Sequence, residues 1–110
     1  ENKDRKCHII NVGSVSSDGD RSYVNEYAIQ KTALEKASTQ LSLIEGNVKV
    51  SLIKPGRIKT PMTDHKDEYP RMSPDYVAEV IKWMIDQPHC INIKSLTVDM
   101  MNSNRKIKDV

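Results

Sequence analysis

The segment C-H-I-I-N-V-G-S-V-S-S-D-G-D-R-S-Y-V-N-E-Y-A-I-Q-K, from Cys7 to Lys31, sets the reading of this chain. Its first six residues form a short run rich in β-branched side chains that stops at Gly13, the pattern of a buried strand. Ser14 to Asn25 is dense in Ser, Asp and Gly and reads as a loop. A helix is expected from Glu26 to Glu45, because Ala33, Leu34, Ala37, Leu41 and Ile44 recur at helical spacing and Gly46 can follow the last turn. Tyr27 lies thirteen positions after Ser14 and four before Lys31. Four residues are about one helical turn, so the phenol and the ammonium share a face.

Downstream, the elements alternate. Asn47 to Ile53 places Val48, Val50 and Leu52 on one face of a second strand, closed by Pro55-Gly56. Arg57 to Met72 reads as a loop. Ser73-Pro74-Asp75 opens a second helix with an N-cap serine, a proline at the first helical position and an acid in the first turn. Val77, Val80, Ile81, Met84 and Ile85 give it an apolar stripe, and Pro88 follows its end. Ile93 to Val98 is a third strand, followed by a polar tail in which Arg105 to Lys108 reads as frayed. Strand–helix–strand–helix–strand requires crossovers and therefore a parallel sheet. The expected class is α/β, with about three parallel strands and two long helices. Three strands are few for a sheet that needs cover on both faces, and the first would be an apolar edge. Residues 1–110 thus read as part of a domain.

Composition narrows the function classes. The chain has 110 residues, 37% apolar, with no Phe and a single Trp, so its core rests on aliphatic side chains and Met. The net charge of +2 comes from interspersed acids and bases, not from the clustered basic face of a nucleic-acid binder. Two cysteines suggest no disulfide framework, and no apolar run reaches membrane-spanning length. A cytoplasmic protein is expected. Cys7-His8 and His89-Cys90 lack the ligand spacing of a zinc site, so no metal is assigned.

With those elements in place, the chain resembles the short-chain dehydrogenases/reductases. Ile9 to Ser14, I-I-N-V-G-S, is similar to the family's fifth strand ending in the catalytic serine. Tyr27 to Lys31 matches its Y-x-x-x-K at the expected distance from that serine, and Pro55 to Thr60, P-G-R-I-K-T, matches the P-G-x-x-x-T after its sixth strand. Ser73 to Val80 and the strand near Leu96 fit its last helix and strand. The T-G-x-x-x-G-x-G fingerprint of the family's N-terminal half does not occur, and Gly13, Gly19, Gly46 and Gly56 cannot build a phosphate-cradling loop of that kind.

The resemblance implies that residues 1–110 are the C-terminal half of a Rossmann-like doubly wound α/β domain, from an NAD(P)-dependent oxidoreductase that interconverts an alcohol and a carbonyl, with Ser14, Tyr27 and Lys31 catalytic. It implies cofactor contacts by Tyr27, Lys31, Pro55, Gly56, Ile58 and Thr60, with the Ile58 backbone and the Thr60 hydroxyl toward the nicotinamide carboxamide. It also implies NAD or NADP as cofactor, a small carbonyl or alcohol substrate, and a homo-oligomer formed through the Tyr27–Lys31 helix or completion by an N-terminal half. The chemistry is coherent from the residues upward. A free phenol ionises near pH ~10, and a neighbouring ammonium stabilises the phenolate. A serine hydroxyl at the carboxyl end of a parallel strand can donate to a substrate oxygen, at the edge where open α/β sheets bind ligands. Ser16 and Ser17 read as turn or capping residues, Tyr23 as a loop residue, and Met62 and His65 as possible substrate contacts on a short loop. The alternative is a truncated, non-catalytic family member serving as an assembly or regulatory module.

Overall fold

A computed structural model describes residues 6–18, 25–44 and 46–109. Tyr23 lies outside the described residues. Strand β1 (Cys7–Val12), helix α1 (Glu26–Leu41), strand β2 (Val48–Pro55), helix α2 (Pro74–Ile85) and strand β3 (Ser95–Val98) follow in that order. Short 3-10 turns occupy Val15–Asp18, Pro61–Lys66 and Ile107–Asp109. The three strands form one parallel sheet in the order β1-β2-β3, with Cys7 opposite Val48 and Leu52 opposite Ser95. The expected α/β class holds.

Consecutive residues of β2 point to opposite faces. Ile53 faces α2 and is buried with Met72, Val77 and Met84, with Ile10, Val80, Ile81 and Leu96 packed around them. Lys54 faces α1, where its ammonium lies 3.3 Å from Glu35. The sheet therefore carries one helix on each side, as parallel crossovers require.

Several boundaries differ from expectation for identifiable reasons. Helix α1 starts as expected, with the Asn25 side chain accepting the Ala28 amide, but it stops at Leu41 rather than Glu45. There the Leu43 and Ile44 amides turn to the carbonyls three residues back, and the Ser42 hydroxyl takes the Thr39 carbonyl. That tightening of the last turn ends the helix. The stripe Ala33, Ala37, Leu41 and Ile44 remains exposed, and only Leu34 is half-buried. The inward face is more polar, with Lys31 and Glu35 half-buried and Ser38 buried against the sheet. On α2, Ile85 is exposed while the rest of the predicted stripe is covered.

Strand β2 runs two residues past Ile53 and is buried on both faces from Lys49 to Pro55, not one-sided as its alternation suggested. A central parallel strand has no solvent face, so its polar side chains go inside with it. Lys49 donates to the carbonyls of Pro88 and Ile91 at 3.3 and 2.6 Å. Ser51, with no exposure, donates to Asn92 Oδ1 at 2.7 Å, and Asn92 Nδ2 donates to the Val50 carbonyl. The single Ser51 proton is then in use, so His8 Nε2, 2.7 Å away, carries a proton and donates to Ser51 Oγ.

Ile93 and Asn92 stand outside β3, which begins at Ser95. The polar tail is docked: Lys106 pairs with Glu68 at 2.9 Å, and the Ile107 amide donates to the Glu68 carbonyl at 2.8 Å. Among the described residues no helix is long and apolar enough to cross a membrane.

Met84→Ala, which empties a fully buried position, is expected to destabilise the fold by about 2–5 kcal/mol in urea denaturation. His8 is held below its ordinary pKa by burial, then by the nearby Lys49 and His89 charges. The folded state thus prefers the neutral ring. Stability from this group is complete above the ordinary histidine range near 6.5, falls as pH drops through it, and levels off below the folded value. Denaturation midpoints compared across pH 5 to 8 in the parent and His8→Gln chains should show that slope flattened by the substitution.

Candidate active site

The carboxyl ends of the strands deliver the candidate residues to one place. At the end of β1, the Gly13 amide continues the ladder to the Ile53 carbonyl at 2.7 Å. Ser14 follows, 8% exposed, and turns the chain into Val15–Asp18. Its Oγ accepts the Ser16 amide at 3.1 Å, and its carbonyl accepts the Ser17 amide. The accepted bond uses a lone pair of Oγ and not its proton.

Helix α1 faces that turn with Tyr27 and Lys31. The Lys31 ammonium lies 5.6 Å from the Tyr27 ring centroid and donates to the Val12 carbonyl at 3.1 Å. The lysine therefore joins the helix to the end of β1 within reach of the phenol.

Beyond β2, Gly56 donates its amide to the Val98 carbonyl. A Cβ at Gly56 would run into the Asp99 carboxylate, so glycine leaves room for that side chain in the segment after β3. That carboxylate is itself engaged, accepting the Met100 amide and the Ser103 hydroxyl. Ile58 forms a parallel bridge with Met72: the Lys59 amide donates to the Met72 carbonyl and the Met72 amide to the Arg57 carbonyl. In such a bridge the central residue's own amide points away from its partner. Thr63 Oγ1 takes the Ile58 carbonyl and accepts the Thr60 amide, which shapes the turn Pro61–Lys66 that the sequence presented as plain loop.

One cavity of about 630 Å³ is lined by Ser14, Tyr27, Lys31, Pro55, Gly56, Ile58 and Thr60, the residues to which the resemblance gave catalytic or cofactor roles. Met62 and His65 also line it. So do Asp99, Ser103 and Asn104, which sequence reasoning left in an undifferentiated tail. The only signal for them was a polar, turn-forming stretch directly after a parallel strand, at the edge where ligands bind. Arg57 pins that segment, with its guanidinium donating to the Ser103 carbonyl and lying 4.6 Å from the Tyr69 ring centroid. Among the described residues no three His, Cys, Asp or Glu side chains are placed to hold a metal.

Comparison with known proteins places this arrangement in context. No protein-family model matches the chain. An uncharacterized oxidoreductase of Staphylococcus epidermidis is 30% identical over 100 residues, covering 87% of this chain and 44% of that protein. Acetoin dehydrogenase from Salmonella typhimurium is 28% identical with a TM-score of 0.67, covering 88% of this chain and 45% of the other. The structure of 4-hydroxyisoleucine dehydrogenase complexed with NADH is 26% identical with a TM-score of 0.68, covering 84% and 44%. These similarities bear out the resemblance to the short-chain dehydrogenases/reductases. The chain spans less than half the length of the relatives it matches.

Gly56→Ala should force the Asp99 carboxylate from its bonds to Met100 and Ser103 and cost about 1–3 kcal/mol by overpacking. In an Asp99→Ala background the same substitution should cost markedly less. A double-mutant cycle on denaturation midpoints checks this, and equal costs in the two backgrounds would contradict the contact.

Proposed function

We propose that this chain is the C-terminal, proton-transferring half of an NAD(P)-dependent oxidoreductase that interconverts an alcohol and a carbonyl. The observation that carries this reading is the shared cavity at the carboxyl edge of the sheet, where Ser14, the Tyr27–Lys31 face and the Pro55–Thr60 turn meet.

The residues present suit the nicotinamide end of a dinucleotide. The Ile58 amide, directed away from Met72, offers a backbone donor beside the cavity-lining Thr60. These two would hold a carboxamide, Pro55-Gly56 would lie against the ring, and Lys31 would reach the ribose hydroxyls. The cofactor, when bound, supplies or accepts the hydride. The chain's own work is on the proton. Ser14 donates a hydrogen bond to the substrate oxygen and orients it. Tyr27 gives its phenolic proton to that oxygen in reduction and takes it back in oxidation. Lys31 stabilises the phenolate left behind, while its bond to the Val12 carbonyl keeps α1 in register with β1.

Acetoin and 4-hydroxyisoleucine, in the names of two structural neighbours, indicate the substrate class: small hydroxylated compounds. The short segment after Thr60 agrees, since it offers little cover for a bulky ligand. The exposed face of α1, with Ile29, Ala33 and Ala37, would seat a second copy of the chain.

The test uses the longest natural product of the gene, or this chain fused behind the N-terminal part of the Staphylococcus epidermidis relative. It should oxidise NADH or NADPH with small ketones. Tyr27→Phe should lower kcat by about 100-fold or more, the scale of a lost general acid. Undiminished turnover in that variant would sink the assignment.

A further inference from the structure

Directly behind the cavity, a charged side chain is buried where the proton-transfer scheme gives it no task. Lys54 is the last residue before Pro55-Gly56 and is 5% exposed. Its ammonium lies 3.3 Å from both carboxylate oxygens of Glu35. Its stem runs beneath the turn, with Cγ 3.4 Å from where a Gly13 Cβ would stand. Glu35 also accepts the Ser17 hydroxyl at 2.7 Å. That hydroxyl has one proton and also lies 2.9 Å from the Ser14 carbonyl, and the charged acceptor is the stronger partner.

Tyr27, Lys31 and Glu35 stand at successive i,i+4 positions, one stripe of α1. Glu35 is thus a natural helix partner for Lys31 as well as for Lys54. In the structure Lys54 holds Glu35, and the Lys31 ammonium sits instead on the Val12 carbonyl beside Tyr27.

We propose that Glu35, Lys54 and Ser17 are positioning residues. Lys54 draws Glu35 away from Lys31, and the resulting pair, Lys54 buried and Glu35 half-buried, locks the Ser14 turn and the Tyr27–Lys31 face to the end of β2. The assignment rests on the proton-transfer reading above. A salt bridge that served packing alone would need neither the serine of the turn nor a position one helical turn from Lys31.

Two single variants and their combination test it in the active protein of the preceding experiment. Lys54→Met frees Glu35 to capture Lys31, and Glu35→Gln removes the carboxylate that faces Lys54. Each should lower kcat by about tenfold, the scale of coupling between contacting charged residues, with the ketone KM little changed. In the double variant Lys54→Met/Glu35→Gln the lock is already lost, so the two losses should not add and kcat should fall no further than in the worse single. Additive losses, or singles with parental kcat, would overturn the proposal. A second readout does not depend on turnover. Amide exchange at Ser16 and Ser17, both bonded to Ser14, should accelerate in the singles while the β2 amides hold. Unchanged turn amides, or β2 amides that accelerate equally, would also overturn it. If the parent reduces no ketone, the oxidoreductase reading fails, and the exchange pattern still decides whether this pair holds the turn.

Discussion

The burial of β2 is the constraint on which the rest depends. A central parallel strand has no wet face, and from Lys49 to Pro55 every side chain is covered. Among the described residues no buried side-chain nitrogen or oxygen is left without a hydrogen-bond partner. A polar group inside costs free energy unless it is paired, so each polar residue of β2 commits a second segment to a fixed place. Lys49 captures the loop after α2, Ser51 joins His8 to Asn92, and Lys54 captures α1 through Glu35. A strand of pure Val and Ile would bury as well but would specify these neighbours less.

The same constraint shapes the candidate site. Its two halves belong to α1 with the Ser14 turn and to the segments after β2 and β3. Polar bonds hold each half and link the two: Lys31 to Val12 in the first, Gly56 to Val98 and Arg57 to Ser103 in the second, and Glu35 to Lys54 between them. Directional bonds hold a geometry more narrowly than packing does, which suits residues that must meet one substrate oxygen. The apolar core lies on the other side of the sheet, under α2, and supplies stability apart from the chemistry.

How far the structure was legible in the sequence follows from this division. Strand β1 and both helix starts were readable, because hydrophobic runs and capping residues are local signals. The ends were less so: α1 was overextended because side-chain competition by Ser and Thr at its last turn does not disturb the hydrophobic period. The apolar stripe of α1 misled, since its inward face is the more polar one, matched to Lys54 and the β1 carbonyls. The fate of Arg105 to Lys108 was invisible because its partner, Glu68, is far away in sequence.

By itself, the sequence determined the α/β class, the order of elements and the positions of Ser14, Tyr27, Lys31 and the Pro55–Thr60 turn. The class and the order of elements rest on periodicity and local signals within single segments, and the candidate positions rest on the resemblance to the short-chain dehydrogenases/reductases. Only the tertiary structure decided that these residues share one cavity, that Asp99, Ser103 and Asn104 complete its wall, and that Glu35 answers Lys54 rather than Lys31. The reason is the range of the forces involved. Helical and strand signals act over a few residues, whereas the partner of a buried charge is chosen by whichever opposite charge the completed sheet brings beside it.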